Sequence, residues 1–123
     1  MTSPILDPVE LLLEANKTYE TFRTIFDKYK ADKKAFSGPI KGQIENTLNN
    51  AKISLDELQE ICNKKILDME IKDCSNSFRR VFTNIGLVIP DLYKYLEKDD
   101  ISKFIRWTSR LILAIIEKEK SGP

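Results

Sequence analysis

Two cysteines, Cys62 and Cys74, are the side chains best suited to nucleophilic chemistry, but the chain contains no histidine. A reactive thiolate ordinarily needs a neighbouring base or positive charge, and histidine is the usual one. Both cysteines fall on apolar helical stripes, so we interpret them as small buried side chains. A redox pair is the alternative, because the two lie about equally far from the polar turn near Asp68.

Carboxylates are the remaining candidates for acid–base or metal chemistry. They are densest at two pairs, Asp56 with Glu60 and Asp99 with Asp100. The first pair lies on the polar face of a predicted helix and the second stands at a helix start, so solvation and capping explain both. Without histidine the usual zinc, copper and iron patterns are missing, and no glycine-rich phosphate loop is present. We therefore expect no catalytic residue, no metal ligand and no cofactor.

Basic residues gather around the first predicted turn of the chain. They could contact anionic lipid, and the candidates are Lys30, Lys33, Lys34 and Lys41. Acidic residues such as Asp27 and Asp32 stand close to them, so an ordinary solvated surface is the preferred interpretation. The net charge is only +1, so nucleic acid is not expected as a partner.

The segment from Trp107 to Ile116 has more apolar residues than one buried face of a helix needs. Its predicted stripe comprises Ile101, Phe104, Ile105, Thr108, Leu111, Ile112 and Ile115, and Leu113 and Ile116 stand off that stripe. One interpretation is a central helix with neighbours on several sides. The other is an exposed surface that binds a partner helix or a second copy. Its candidate contact residues are Arg106, Trp107, Arg110, Leu113 and Ile116.

Apolar residues recur at helical spacing along the whole chain, and these helices must position any site. The first helix starts at Pro8 and fades near Ala31. The second starts at about Pro39 and continues past Ser54, because its stripe keeps one phase. The third begins near Cys74, with Gly86 and Pro90 predicting a kink or break near residues 86–90. Asp99 or Asp100 caps the last helix.

The stripes also predict the core. We expect eight large side chains to be buried: Phe22, Phe26, Leu48, Leu55, Phe78, Phe82, Phe104 and Leu111. No alternating pattern or tight hairpin turn predicts a β-strand. The predicted fold class is all-α, an antiparallel four-helix bundle over residues 1–123 as one domain, with a fifth helix if the chain breaks near residues 86–90.

These features together favour a non-enzymatic protein–protein interaction bundle, an adaptor or scaffold domain that acts by helix docking on an apolar surface. The partner would be another protein or a second copy of the chain. The alternative is a membrane-active bundle whose basic clusters contact anionic lipid peripherally. The longest apolar run, Leu111 to Ile116, is far shorter than the roughly 20 residues that span a bilayer. With no secretory segment or disulfide framework, we expect an intracellular, cytoplasmic location.

Overall fold

The computed structural model contains four α-helices in chain order: α1 (Pro8–Tyr29), α2 (Gly38–Lys64), α3 (Ile71–Leu92) and α4 (Lys98–Ser121). A 3₁₀ helix, Tyr93–Tyr95, joins α3 to α4. No β-strand occurs in the parts of the chain that the structure describes. The all-α prediction is confirmed.

The structure describes the backbone of residues 8–32, 34–64 and 71–121. Within these ranges it describes the side chains except those of residues 8, 62, 64, 71–74 and 114–121. All statements below concern these residues.

Two of the helices that contact α1, namely α2 and α4, run antiparallel to it. On one side, the Arg23 guanidinium binds the Glu45 carboxylate of α2 at 2.8 Å, while the earlier Tyr19 ring meets Lys52, which lies further along α2. The order of contacts on α2 is therefore the reverse of the order on α1. On the other side, Phe22 packs against Phe104 and the earlier backbone of Leu11 meets Trp107, so α4 is antiparallel as well.

Helices α1, α2, α3 and α4 enclose one core, with α2 and α4 each packed against both α1 and α3. Of the eight side chains predicted to be buried, only Phe82 is partly exposed; its ring stacks on Phe104 with centroids 6.1 Å apart. The fully buried large side chains are Trp107, Phe22, Phe26, Phe78, Leu11, Ile44, Leu48, Leu55, Leu58, Ile85, Leu92 and Leu111.

Helix α2 is continuous across Ser54, as predicted. Ser54 is 4% exposed and lies on the buried side of α2 next to Leu55. A capping serine would have to leave the helical conformation and accept a hydrogen bond from the turn that follows it. Here the apolar stripe on both sides of Ser54 keeps the helix intact.

Of the kink or break predicted near residues 86–90, the break is wrong, because α3 is one continuous helix there. The helix passes through Gly86 and Pro90 and ends at Leu92. Pro90 stands in the last turn, where it removes only the hydrogen bond that its own amide would have donated to the Gly86 carbonyl. The interruption comes instead at residues 93–97, where the 3₁₀ helix ends at the extended residue Leu96.

Helix α4 starts at Lys98, slightly before the predicted cap. The Asp100 carboxylate accepts a hydrogen bond from the backbone amide of Glu97 at 3.1 Å. This is the contact that an acidic residue in the first turn makes back to the capping residue. Asp100 therefore stabilises the start of α4 from inside its first turn.

Candidate protein-docking surface

The position of Trp107 determines which face of α4 packs into the core. The Trp107 side chain is 1% exposed, and its indole N–H donates a hydrogen bond to the Leu11 carbonyl oxygen of α1 at 3.3 Å. Phe104 and Leu111 lie beside it on the same face. We predicted Trp107 as part of an exposed contact surface, and that placement is wrong. A tryptophan combines a large apolar ring with one polar group, and α1 accommodates both.

The outer face of α4 is apolar too. We use this name for Ile105, Ile112 and Leu113, which are 56%, 46% and 57% exposed. Leu113 is exposed as the sequence predicted. Ile105 and Ile112 were predicted on the buried stripe, and the structure places them outside because the helix is rotated to bury Trp107. The Ile116 side chain lies outside the described residues.

The two arginines predicted to flank this surface have different environments. Arg106 is exposed and has no ion-pair partner in the described part of the chain. Arg110 instead forms a tight ion pair with Glu14 and contacts the Glu10 carboxylate at 3.5 Å, which ties α4 to α1. Arg106 is therefore the guanidinium available to a partner, whereas Arg110 stabilises the bundle.

A groove of about 290 Å³ lies between α1 and α4, on the side of α4 that carries Lys103 and Arg106. Arg106 and Lys17 line its opening, and Phe22 and Trp107 form its floor. Small-molecule sites are typically about 300–1,000 Å³, so this groove is at the lower limit of that range. Its lining mixes acidic and basic residues, and it includes none of the three residues that define the outer face of α4.

The outer face of α2 is a second exposed surface, and it was not predicted from the sequence. We use this name for Ile53, Asp56, Glu57 and Glu60, which border a shallow depression on the helix. Ile53 is 56% exposed. The run of acidic residues after Ile53 was visible in the sequence, but an acidic helix face is usually only solvated.

The carboxylate pairs occupy the positions expected of solvated and capping groups. Asp56 binds Lys52 at 3.4 Å, and Asp99 binds Lys103 at 3.2 Å. Among the described residues no cluster of cysteines and carboxylates could hold a metal ion. Cys62 and Cys74 lie in α2 and α3, but the prediction for their side chains falls outside the described residues.

The basic residues around the first turn are partly neutralised. The Lys30 ammonium binds Asp27 at 3.0 Å and lies 5.9 Å from the centre of the Phe26 ring. Lys34 and Lys41 are exposed, and Lys33 lies outside the described residues. This turn offers fewer free charges than the sequence alone indicates.

Across the described helices, none combines the length and the apolar character needed to cross a bilayer.

No known protein family matches the chain, and no curated protein or solved structure is significantly similar to it.

Proposed function

We propose that the chain is a non-enzymatic adaptor or scaffold domain that binds an amphipathic helix of a partner on the outer face of α4. One observation carries this proposal: Ile105, Ile112 and Leu113 are each about half exposed on a helix whose opposite face is already in the core. Exposed apolar side chains on one helix face are what a partner helix would cover.

The charges beside this face define the chemistry of the partner. Arg106 follows Ile105 directly and has no ion-pair partner among the described residues, and Lys17 stands across the groove from it. Lys103, one turn before Arg106, is already bound to Asp99. A helix with apolar residues on one side and carboxylates along the edge matches this surface, because arginine at the rim of an apolar contact favours acidic partners.

Site-specific photo-crosslinking tests the proposal. A photo-reactive residue at position 112 should crosslink a protein in an extract of the source cell, and mass spectrometry should locate the crosslink in an acidic, amphipathic helix. The same residue at Thr24, an exposed position of α1, is the matched control. A crosslinked protein common to both positions would reflect chance collision.

A pair of substitutions then tests the surface itself. Ile105→Lys with Leu113→Glu keeps the net charge and should abolish the crosslink while leaving the thermal melt nearly unchanged. Thr24→Lys with Thr83→Glu places the same charges on exposed sites of α1 and α3 and should leave the crosslink intact. Crosslinking that survives the first pair would place the binding surface elsewhere. The lipid alternative predicts instead that the chain sediments with anionic vesicles, and that Lys34→Glu with Lys41→Glu abolishes this sedimentation.

A further inference from the structure

We infer that the outer face of α4 binds the outer face of α2 of a second copy of the chain. This inference rests on the proposed docking surface and specifies its occupant. The two faces carry opposite charge next to apolar side chains: Arg106 with Leu113 on α4, and Glu60 with Ile53 on α2. The positive charge on α4 is complementary to the negative charge on α2, and each face has an apolar side chain that the other can cover.

The spacing of these residues matches. Ile53 and Glu60 are seven residues apart on α2, and Arg106 and Leu113 are seven residues apart on α4. Seven residues make about two helical turns, or roughly 10.5 Å, so the two members of each pair lie on the same side of their helix. When the helices are antiparallel, Ile53 meets Leu113 at the same register at which Glu60 meets Arg106.

This register places the Glu60 carboxylate of one copy opposite the Arg106 guanidinium of the next. Neither Glu60 nor Arg106 has an ion-pair partner in the described part of the chain. The other acids of the α2 face are engaged, because Asp56 binds Lys52 and Glu57 binds Arg80 at 3.2 Å. We therefore assign the charge contact between copies to Glu60 and Arg106.

The position of the two helices determines the type of assembly. Helices α2 and α4 are diagonal in the bundle, each packed against α1 and α3, so their outer faces point away from each other. One copy cannot present both faces to the same neighbour. Contacts between unlike faces propagate from copy to copy, and they form rings or open chains rather than a two-fold dimer.

Sedimentation velocity over a concentration series tests this inference on the purified chain. At low salt the average mass should rise beyond that of a dimer as the concentration increases, and added salt should reduce it. Arg106→Glu and Glu60→Arg should each weaken association by about tenfold or more, because each change places like charges opposite one another. Combining Arg106→Glu with Glu60→Arg exchanges the two charges and should restore association.

Charge-matched controls separate contact from net charge. Lys41→Glu alters the net charge as Arg106→Glu does, and Glu20→Arg alters it as Glu60→Arg does, both at exposed sites outside the two faces. Both controls should associate like the unaltered chain. A chain that stays monomeric at every concentration, or a double variant that is not restored, overturns the inference. If position 112 crosslinks a helix of another protein while the chain itself stays monomeric, the proposed function is supported and only the binding of a second copy is excluded.

Discussion

The outer faces of α2 and α4 differ in a way that the inner faces do not. Both helices bury an apolar stripe in the same core. On the outside, α2 exposes Ile53 among polar residues and Ile40 in its first turn, whereas α4 exposes Ile105, Ile112 and Leu113. The outer face of α2 is therefore mainly acidic, whereas the outer face of α4 is mainly apolar. The apolar outer face of α4 lies away from the core, and this difference is the basis of the proposed binding surface.

The largest expected effect separates the two faces of α4 at neighbouring positions. Leu111 is 1% exposed and Ile112 is 46% exposed. Leu111→Ala should lower the free energy of unfolding by about 2–5 kcal/mol, because it leaves a cavity in the core. Ile112→Ala should lower it by less than about 1 kcal/mol. Urea denaturation measures both, and equal losses would mean that α4 has no distinct outer face.

A smaller effect concerns the ion pairs that hold α4 against α1. Arg110, 30% exposed on its side chain, binds Glu14 and Glu10, whereas Lys103 is 66% exposed and binds only Asp99 within α4. Arg110→Ala should lower the free energy of unfolding by about 1 kcal/mol, since exposed pairs contribute little and this one is partly buried. Lys103→Ala should stay within about 0.5 kcal/mol of the unaltered chain. Thermal melts at low and high salt distinguish them, and a loss for Lys103→Ala as large as that for Arg110→Ala would contradict this assignment.

The smallest expected effect concerns Tyr19, on the side of α1 that faces α2, and it lowers the stability of the folded chain only at high pH. Burial raises the pKa of the Tyr19 phenol above its ordinary value of 10.0, although Arg23 and Lys52 pull it down. The unfolded chain therefore loses this proton at lower pH than the folded chain does. Stability from Tyr19 is present below about pH 10 and falls as the pH rises through and beyond that value. Denaturation midpoints between about pH 9 and pH 11 should fall less in Tyr19→Phe, and an identical fall would exclude Tyr19 as the source.

The difference between α2 and α4 also explains which predictions from the sequence succeeded. On α2 the polar outer residues leave one possible apolar stripe, so Leu48 and Leu55 were predicted in the core, where the structure places them. On α4 several apolar stripes were possible. The stripe predicted from the sequence runs through Ile105 and Ile112, whereas in the structure Trp107 is buried and its indole N–H reaches the Leu11 carbonyl. That hydrogen bond joins residues far apart in the chain, and periodicity along one helix contains no information about it.

The break after α3 was misplaced for a related reason. Gly86 and Pro90 disfavour helix locally, and they predict a kink or break near residues 86–90. In the structure Val88 and Leu92 are buried on the same face of α3, and their burial holds the helix together across both residues. Local preferences predicted an interruption in this part of the chain, but tertiary packing moved it to residues 93–97.

The burial of Trp107 has a consequence for spectroscopy. It is the only tryptophan in the chain, and it sits between α1 and α4 in the core. Its fluorescence reports the integrity of the α1–α4 contact, because exposure of the buried indole to water on unfolding should shift the emission to longer wavelength. The same emission should change little when a partner covers Ile105 or Leu113. A single spectrum can therefore tell a variant that has lost its partner from a variant that has lost its fold.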